Sequence, residues 1–183
     1  MKNLLRTTLI SLLACNGMAL AEVTDAAAGG FTTVNEATIG ASGDVVWQAA
    51  IKDVGSWWSS DHTVSGDASR LRMTAQPLGC FCESFGEGAG VVHMSVTMVS
   101  PGVVIRLTGG LGPLGLMGVT GNMTWEFEAV EEGTKVTFTY AVGGYQPEGL
   151  DTVAGPVDYV LGEALLRLKT YIETGNPEVA DLG

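Results

Sequence analysis

From residue 71 to residue 140, most of the chain alternates position by position between apolar and polar side chains. A period of two is typical of β-strands with one buried face, because successive side chains point to opposite sides of a sheet. Short turns separate the alternating segments at residues 76–78, 87–88, 101–102 and 132–133. The pattern therefore predicts a six-stranded antiparallel meander whose apolar side chains share one face.

These turns also predict which residues pair across neighbouring strands. A slip of one residue would turn the apolar side chains of a strand towards solvent, so the agreement of four turns supports the register. The expected pairs are Met73 with Phe81, Leu71 with Glu83, Phe81 with Met94, Glu83 with Val92, Met98 with Ile105, Val96 with Leu107, Trp125 with Tyr140, and Phe127 with Phe138.

A further strand and a helix precede the meander. Residues 31–39 are rich in Thr, Val and Ile, which favours a strand. Ser42 is a suitable N-cap for the helix that follows, and this helix ends near Gly55. One side of the helix is apolar and carries Val45, Val46, Ala49 and Ala50.

Residues 150–174 close the chain as a long predicted helix. Pro156 suits a first helical turn, and Gly175 suits a helix end. A sheet with one apolar face and a helix with one apolar stripe must cover each other. The predicted fold class is α+β, with about seven antiparallel strands curved around the C-terminal helix and an apolar pocket between them. The stripe consists of Val157, Leu161, Ala164, Leu165, Leu168 and Ile172.

The first residues predict a targeting segment. Lys2 and Arg6 precede a short apolar run, and residues 19–21 (Ala-Leu-Ala) have the small-x-small pattern of a signal-peptidase site. Residues 1–21 are therefore a predicted signal peptide of a periplasmic or secreted protein. The alternative is a lipoprotein acylated at Cys15. The remaining boundaries are a linker at 22–30, one domain at 31–175 and a tail at 176–183.

The chain is acidic, with a formal net charge of −11 at pH 7. Removal of Lys2 and Arg6 with the leader would make the charge more negative by two. Such a chain is repelled by phosphate backbones, which excludes nucleic acid and anionic membrane surfaces as expected partners. No second apolar stretch has the length of about 20 residues that a membrane-spanning helix needs.

Three segments carry a resemblance to a known superfamily: residues 37–47, the tryptophan pair at 57–58, and residues 133–137. The chain resembles the START-like and birch-pollen-allergen-like (SRPBCC) superfamily, whose fold is called the helix grip. Within it, the chain is similar to bacterial members of the polyketide cyclase/dehydrase and chaperone-ATPase-activator types. The resemblance covers residues 31–174 and implies a cavity between sheet and final helix for lipids, sterols or polyketides.

Glu83 is the only charged residue that the register places on the apolar face of the meander. A buried, unpaired carboxylate is costly, so Glu83 is expected to stay protonated. It could anchor a ligand hydroxyl or amine. If the protein is an enzyme, Glu83 could act as general acid or base together with Tyr140. The structural alternative is a Glu at the end of the sheet that reaches solvent or a helix backbone group.

Two loops could form the mouth of the pocket. Trp57 and Trp58 could form an apolar gate with His62 as a polar contact, or could pin their loop to the core and leave His62 exposed. Residues 111–118 are apolar and glycine-rich, which favours a movable lid. Large aromatic residues on the apolar face also suit an ordinary core. The expected ligand contacts are Trp57, Trp58, His62, Glu83, Met94, Leu107, Met117, Trp125, Phe138, Tyr140, Leu161 and Leu165.

Cys80 and Cys82 fall on the outer face, where the register places Cys82 opposite His93 and beside Arg72. A disulfide between positions two apart on a strand needs a bulge or strain. Arg72 could favour the thiolate of Cys82. A metal site of Cys80, Cys82 and His93 is a further alternative, although the spacing matches no zinc pattern. Two thiols or a disulfide without a function is the plainer interpretation.

The leading hypothesis is an exported binding protein for a small hydrophobic ligand, with no metal or cofactor. Binding is favoured over catalysis because the sequence has no nucleophile elbow, paired-carboxylate motif, zinc-protease motif or dinucleotide loop. The alternatives are a cyclase or dehydratase that uses Glu83, and a protein-interaction module whose partner is unknown. The sequence leaves the ligand and the oligomeric state open.

Overall fold

The structure, a computed structural model, describes residues 20–179. The predicted signal peptide and Cys15 lie outside the described residues, apart from positions 20 and 21. The described helices are α1 (Gly43–Lys52), α2 (Val54–Trp57) and α3 (Asp151–Thr174), and the described strands are β1 (Leu20–Ala27), β2 (Gly30–Ile39), β3 (Leu71–Met73), β4 (Cys80–Gly86), β5 (Ala89–Ser100), β6 (Val104–Gly109), β7 (Gly118–Val130) and β8 (Gly133–Tyr145).

The strands form a single eight-stranded sheet in the order β1-β2-β8-β7-β6-β5-β4-β3, and all neighbouring strands are antiparallel. β3 to β8 are the predicted six-stranded meander. β2 returns to pair with β8, and β1 adds an outer edge to β2. The predicted α+β class, with a curved antiparallel sheet around a long C-terminal helix, is confirmed. None of the helices in residues 20–179 combines the length and the apolar character that crossing a bilayer requires.

The segment at residues 22–30 was expected to be a linker, but most of it belongs to β1. Val23 pairs with Thr33 and packs against the core, while nearly all other side chains of this edge strand are exposed. A bulge between Val23 and Asp25 interrupts the alternation further. An edge strand with so few buried side chains carries no clear period of two, which is why the sequence pattern missed it.

Most of the predicted register in β3 to β6 is confirmed: Leu71 pairs with Glu83, Met73 with Phe81, Phe81 with Met94, and Val96 with Leu107. The prediction that Met98 lies opposite Ile105 is wrong. A bulge between Val96 and Met98 places Val99 opposite Ile105 and leaves Met98 42% exposed. A bulge adds one residue to one strand, so every residue beyond it changes face.

The predicted pairing of β7 with β8 is wrong by two residues. Trp125 pairs with Phe138, and Phe127 pairs with Val136, because the turn between the strands is formed by residues 131–132. A shift of two residues keeps each side chain on its face of the sheet. Trp125 and Phe138 therefore both remain on the predicted apolar face.

The final helix, α3, begins at Asp151, so Pro156 lies inside it and does not mark its first turn. A proline inside a helix has no N–H to donate and weakens the turn that precedes it. Gly155 stands directly before it and adds further backbone freedom. The predicted end at Gly175 is confirmed, since Gly175 has a φ of +81° and its N–H donates to the carbonyl oxygen of Tyr171.

Candidate functional site

The space between the sheet and α3 is filled by side chains. The indole of Trp125 stacks on Phe138 with ring centroids 4.5 Å apart. A hollow that holds even one water molecule leaves accessible surface on its lining, and neither Leu161 nor Leu165 keeps any. The predicted hollow beneath these two leucines is therefore absent from the described form of the protein. Further fully or almost fully buried side chains of the interior include Met94, Leu107, Met123, Tyr140 and Leu168.

Glu83 lies at the inner face of β4 and is 1% exposed. Its carboxylate accepts hydrogen bonds from the backbone N–H groups of Val64 at 2.9 Å and Ser65 at 2.5 Å. Nε2 of His93 lies 3.1 Å from the same carboxylate. We call residues 59–67 the strap, and Glu83 ties the strap to the sheet. The structural alternative is met only in part, because the backbone groups that Glu83 binds belong to the strap and not to a helix.

The ionisation of Glu83 follows from these contacts. Burial by itself raises the pKa of a carboxyl group, because a less polar surrounding penalises the charge. Hydrogen bonds from Ser65, Val64 and His93 act in the opposite direction and together hold the pKa of Glu83 below its usual value. Glu83 is therefore ionised at neutral pH, and the prediction that it stays protonated is wrong.

A second bulge explains how Glu83 finds its partner. Between Phe81 and Cys82 the register of β4 and β5 shifts, so Cys82 lies opposite Val92, not His93. His93 and Met94 are consecutive residues, yet both are buried. His93 thus points inward to Glu83. The prediction that Glu83 lies opposite Val92 is wrong, since Glu83 pairs with Val91. The sequence offered no signal for this bulge.

The tryptophan pair is buried and pins its loop to the core. Nε1 of Trp57 donates to the Ala49 carbonyl at 3.0 Å, and Nε1 of Trp58 donates to the His62 carbonyl at 3.2 Å. Nε2 of His62 lies 2.8 Å from the carboxylate of Glu163 in α3. The structure therefore agrees with the alternative in which Trp57 and Trp58 pin their loop to the core, except that His62 is half-buried and not exposed. The strap joins β4 through Glu83 and α3 through His62.

Tyr140 holds the loop that follows β6. Its hydroxyl donates to the Gly109 carbonyl at 3.0 Å and accepts from the Leu111 N–H at 3.1 Å. Burial raises the pKa of Tyr140, and the Leu111 hydrogen bond opposes that effect. Three strands separate Tyr140 from Glu83, and the two side chains contact different loops. The structure thus does not bring the two candidate catalytic residues together.

Two polar side chains under α3 were missed by the sequence reasoning. Thr33 and Asn35 are at inward positions of β2, and both are fully buried. Nδ2 of Asn35 donates to Oδ1 of Asp158 in α3 at 3.1 Å. Within the described part of the chain, the Thr33 hydroxyl and Oδ1 of Asn35 have no hydrogen-bond partner. The sequence did contain a signal for this pair, because Thr33 and Asn35 follow Phe31 at a spacing of two residues and therefore lie on the same face of β2.

Asp158 is coupled to this polar pair. Burial raises its pKa, the negative charge of Glu22 adds to that effect, and the hydrogen bond from Asn35 opposes it. Because the folded pKa lies above the unfolded one, the contribution of Asp158 to stability is lost as the pH rises through the folded pKa. Ionised Asp158 therefore disfavours folding at neutral pH.

The substitution Asp158→Asn is expected to raise Tm at pH 7 by about 2 °C. It removes the penalised charge and keeps an oxygen that accepts from Asn35. Thermal unfolding followed by circular dichroism measures the effect, with the exposed Asp61→Asn as control. The advantage should disappear near pH ~3, where Asp158 is protonated. A lower Tm at pH 7 would contradict the assignment.

Cys80 and Cys82 form a disulfide on the outer face, with Cα atoms 5.5 Å apart. The bulge at this point inserts His93 into β5, opposite the cysteines, and adds no residue to the cysteine strand β4. His93 lies on the inner face, so the alternative of a metal site with both cysteines is wrong. Among residues 20–179, no group of three or more His, Cys, Asp or Glu side chains is placed to hold a metal ion.

The predicted ligand contacts fall into two groups. His62 and Met117 are half-buried near the surface. The others are buried in the filled interior, and their role as ligand contacts stays a prediction: Trp57, Trp58, Glu83, Met94, Leu107, Trp125, Phe138, Tyr140, Leu161 and Leu165. Two open surface grooves also exist, one of about 640 Å³ beside Thr32 and Asn122 and one of about 240 Å³ beside Cys82.

Comparison with solved structures reveals the same fold in other proteins. A protein of Rhizobium leguminosarum is 21% identical, with 85% of this chain and 98% of that chain covered and a TM-score of 0.56. CalU16 of Micromonospora echinospora is 14% identical, with 89% and 87% covered and a TM-score of 0.55. DynU16, from the dynemicin biosynthetic locus, is 19% identical, with 80% and 48% covered and a TM-score of 0.56. These likenesses show the fold alone.

The sequence itself also matches the profile of a protein family. No functionally curated protein matches the chain. The sequence profile of the family described as polyketide cyclase/dehydrase and lipid transport matches residues 30–173, from the start of β2 almost to the end of α3. The match spans most of the chain and agrees with the architecture of sheet and helix. The chain therefore belongs to the polyketide cyclase/dehydrase and lipid transport family.

Proposed function

We propose that this protein binds a small, mainly apolar molecule that carries a hydrogen-bonding group, between the inner face of β2 and α3. Membership of the family supports a role in ligand binding or in cyclase chemistry. The observation that carries the proposal is a pair of buried polar atoms, the Thr33 hydroxyl and Oδ1 of Asn35, that have no hydrogen-bond partner among residues 20–179 and lie in a mainly apolar interior.

Buried polar atoms are almost always hydrogen-bonded, and each one left unpaired costs about 1–3 kcal/mol. A ligand hydroxyl or amide that reaches β2 can donate to Asn35 and exchange a hydrogen bond with Thr33. Asp158 adds a carboxyl group, and burial raises the pKa of this group. The rest of the ligand would lie against the apolar side chains of the sheet. This distribution favours an amphipathic molecule over a pure hydrocarbon.

The described form is closed, so binding requires part of the grip to open. The first turns of α3 are the best candidate for movement, because Gly155 and Pro156 weaken the helix there. Three valines of this region, Val153, Val157 and Val160, pack on the core but are only partly buried. Displacing them uncovers the interior next to Thr33 and Asn35 without disturbing the sheet.

Native mass spectrometry tests the proposal directly. The protein is mixed in turn with a fatty acid, a sterol and an aromatic polyketide, each with a hydroxyl or carboxyl group. One of these classes should give a complex of one ligand per protein that survives gentle desolvation. Spectra without bound mass for all three classes, and for protein purified directly from its source, would contradict the proposal.

The substitution Thr33→Val should stabilise the free protein and weaken binding at the same time. Valine has nearly the same shape, and it removes a buried hydroxyl without a partner, so we expect a gain of about 1 kcal/mol. The affinity for the ligand found by mass spectrometry should fall by about tenfold. Urea unfolding and titration calorimetry measure the two effects.

The matched control is Thr139→Val, which makes the same change on the outer face of β8. It should alter neither stability nor affinity by a comparable amount. If Thr33→Val destabilises the free protein, the hydroxyl is paired and the argument for a polar ligand group at β2 fails.

We further propose that the protein acts outside the cytoplasm. The leader-like residues 1–21 and the disulfide between Cys80 and Cys82 support this location, because disulfides persist in oxidising compartments. Cleavage after Ala21 would leave β1 from Glu22 onward, which still pairs with β2. The mass of the protein recovered from a periplasmic extract or culture medium tests this. A first residue other than Glu22 contradicts the proposed cleavage site, and acylated Cys15 would identify a lipoprotein.

A further inference from the structure

The disulfide of Cys80 and Cys82 is placed where a structural cross-link gains little. Disulfides stabilise a fold mainly by closing long loops, and only Phe81 separates these two cysteines. Backbone pairing already holds β4 on both sides, with Arg72 of β3 opposite Cys82 and Ser95 of β5 opposite Cys80. The bridge can therefore open without releasing the strand.

One of the two cysteines borders an open groove. This groove has a volume of about 240 Å³ and lies on the surface over β3, β4 and β5. Cys82 is half-buried at its wall. Ala89 and Gly90 widen one end of the groove with small or no side chains, and Val92 and Arg72 flank Cys82 on the two neighbouring strands. A thiol on a small molecule or on an extended peptide can therefore reach Cys82.

Arg72 supplies a positive charge at the same place. It lies directly opposite Cys82 across the β3–β4 pair, and such cross-strand neighbours have Cβ atoms about 5 Å apart. Nη1 of Arg72 donates to the carbonyls of Ser69 and Leu71, both at 2.6 Å, which limits the movement of the guanidinium group. A neighbouring cation stabilises a thiolate, which is both the attacking and the leaving form of sulfur in disulfide exchange.

We propose that Cys80–Cys82 is an exchangeable disulfide that oxidises thiols reaching Cys82 through this groove. An incoming thiolate attacks Sγ of Cys82 and forms a mixed disulfide. The Cys80–Cys82 bond breaks, and Cys80 leaves as a thiolate that takes a proton from solvent. A second thiolate then attacks the incoming sulfur and forms the product disulfide. Cys82 is released as a thiolate beside Arg72, and this thiolate then takes a proton from solvent.

These steps conserve atoms, electrons and protons. Two thiols together lose two electrons and two protons, and the cysteine pair gains both. The disulfide is itself the oxidant, so each molecule acts once. The inference does not rest on the proposed ligand site, because the cysteines lie on the outer face of the sheet.

The first experiment compares how readily each of the two sulfurs forms a mixed disulfide. Cys80→Ser leaves Cys82 free, and Cys82→Ser leaves Cys80 free. Both are mixed with glutathione disulfide, and peptide mass spectrometry reads each site separately from Cys15. Glutathione should attach to Cys82 about tenfold faster than to Cys80. Equal rates, or faster attachment to Cys80, would overturn the assignment of Cys82.

The second experiment uses the intact disulfide and distinguishes two sources of thiol. One arm contains millimolar reduced glutathione, and the other contains a reduced, unfolded protein with several cysteines. Opening of the bridge in either arm, with circular dichroism unchanged, supports the proposal and identifies the thiol class. A bridge that stays closed in both arms, or a fold that is lost on reduction, overturns it.

Arg72→Gln provides the test of the charge. It should slow the second step, in which Cys82 leaves its mixed disulfide, about fivefold, since that thiolate loses its cation. Arg106→Gln is the matched control, because Arg106 is also exposed on the outer face but lies in β6. An equal rate for the two variants would remove Arg72 from the mechanism.

Discussion

Replacement of Glu83 by Ala is expected to lower the free energy of unfolding by about 3 kcal/mol. The change removes the acceptor for two backbone N–H groups of the strap and leaves buried His93 without its carboxylate. Unpaired buried donors carry most of this cost. Urea unfolding at pH 7 measures it. Glu83→Gln should cost less, since it keeps one oxygen acceptor in place.

The control for this prediction is Glu128→Ala. Glu128 is also a strand glutamate with a charged partner, Lys135 at 3.2 Å, but its side chain is 65% exposed. An exposed ion pair contributes little, so the free energy of unfolding should be nearly unchanged. If Glu83→Ala proves equally mild, the strap is not held by Glu83 in solution.

The same variant tests the ionisation of Glu83. A folded pKa below the unfolded pKa contributes stability above the unfolded value, and this contribution is lost as the pH falls through the folded pKa. The wild-type protein should therefore lose stability on acidification below pH ~4.5, and Glu83→Ala should lose less over the same range. Parallel pH profiles for the two proteins would show that Glu83 is not the group responsible.

Trp125→Ala is the second large effect, with an expected loss of about 4 kcal/mol in the free energy of unfolding. Trp125 is fully buried, stacks on Phe138 at 4.5 Å, and lies 6.1 Å from Trp57 and 6.4 Å from Phe81, measured between ring centroids. Its removal leaves a large cavity in a filled interior, because the neighbouring rings cannot collapse onto it. Urea unfolding measures the loss.

Two further measurements distinguish the loss of packing around Trp125 from the general effect of removing a large apolar side chain. Leu116→Ala removes a large apolar side chain that is 94% exposed, and it should change the stability very little. Indole should raise the Tm of Trp125→Ala but not that of the wild type, since apolar cavities of this size bind matching molecules. A cost below about 1 kcal/mol for Trp125→Ala would show that Trp125 stands beside an existing hollow.

The strap has a consequence for access to the interior. It is attached to the sheet by Glu83 and to α3 by His62, so it closes one side of the grip with polar contacts over buried indoles. The first turns of α3, with Gly155 and Pro156, close the other side with partly exposed valines. Movement of the first turns of α3 breaks the Asn35–Asp158 hydrogen bond, whereas movement of the strap breaks its two bonds to Glu83 and the His62–Glu163 contact. This is why we place the opening at the first turns of α3.

Several features were predictable because their signals are local. The alternation from residue 71 to residue 140 reports which side chains share a face, whatever the rest of the chain does. Gly175 reports a helix end through its freedom to adopt a positive φ. The buried aromatic and aliphatic residues of the apolar face were predicted for the same reason. Even the two-residue error in the β7–β8 turn left Trp125 and Phe138 on the correct face.

The polar details were not predictable, because they depend on the insertion of a single residue. The bulge next to His93 turns that side chain inward to Glu83, and the bulge at Thr97 turns Met98 outward. No residue type in these strands demands a bulge, so the alternation was extended straight through both positions. The alternation of apolar and polar residues with a period of two does not reveal the position of a bulge that interrupts it.

The sequence alone determined the class of fold, the buried face of the meander and the helix that covers it, because these follow from short-range periodicity and from the need to bury apolar surface. Only the tertiary structure decided that Glu83 is ionised, that the interior is filled, and that the Thr33 hydroxyl and Oδ1 of Asn35 have no hydrogen-bond partner among residues 20–179. These properties depend on distances of a few ångströms between segments far apart in the chain. Hydrogen bonds and packing are made at that scale, which the order of residues does not specify.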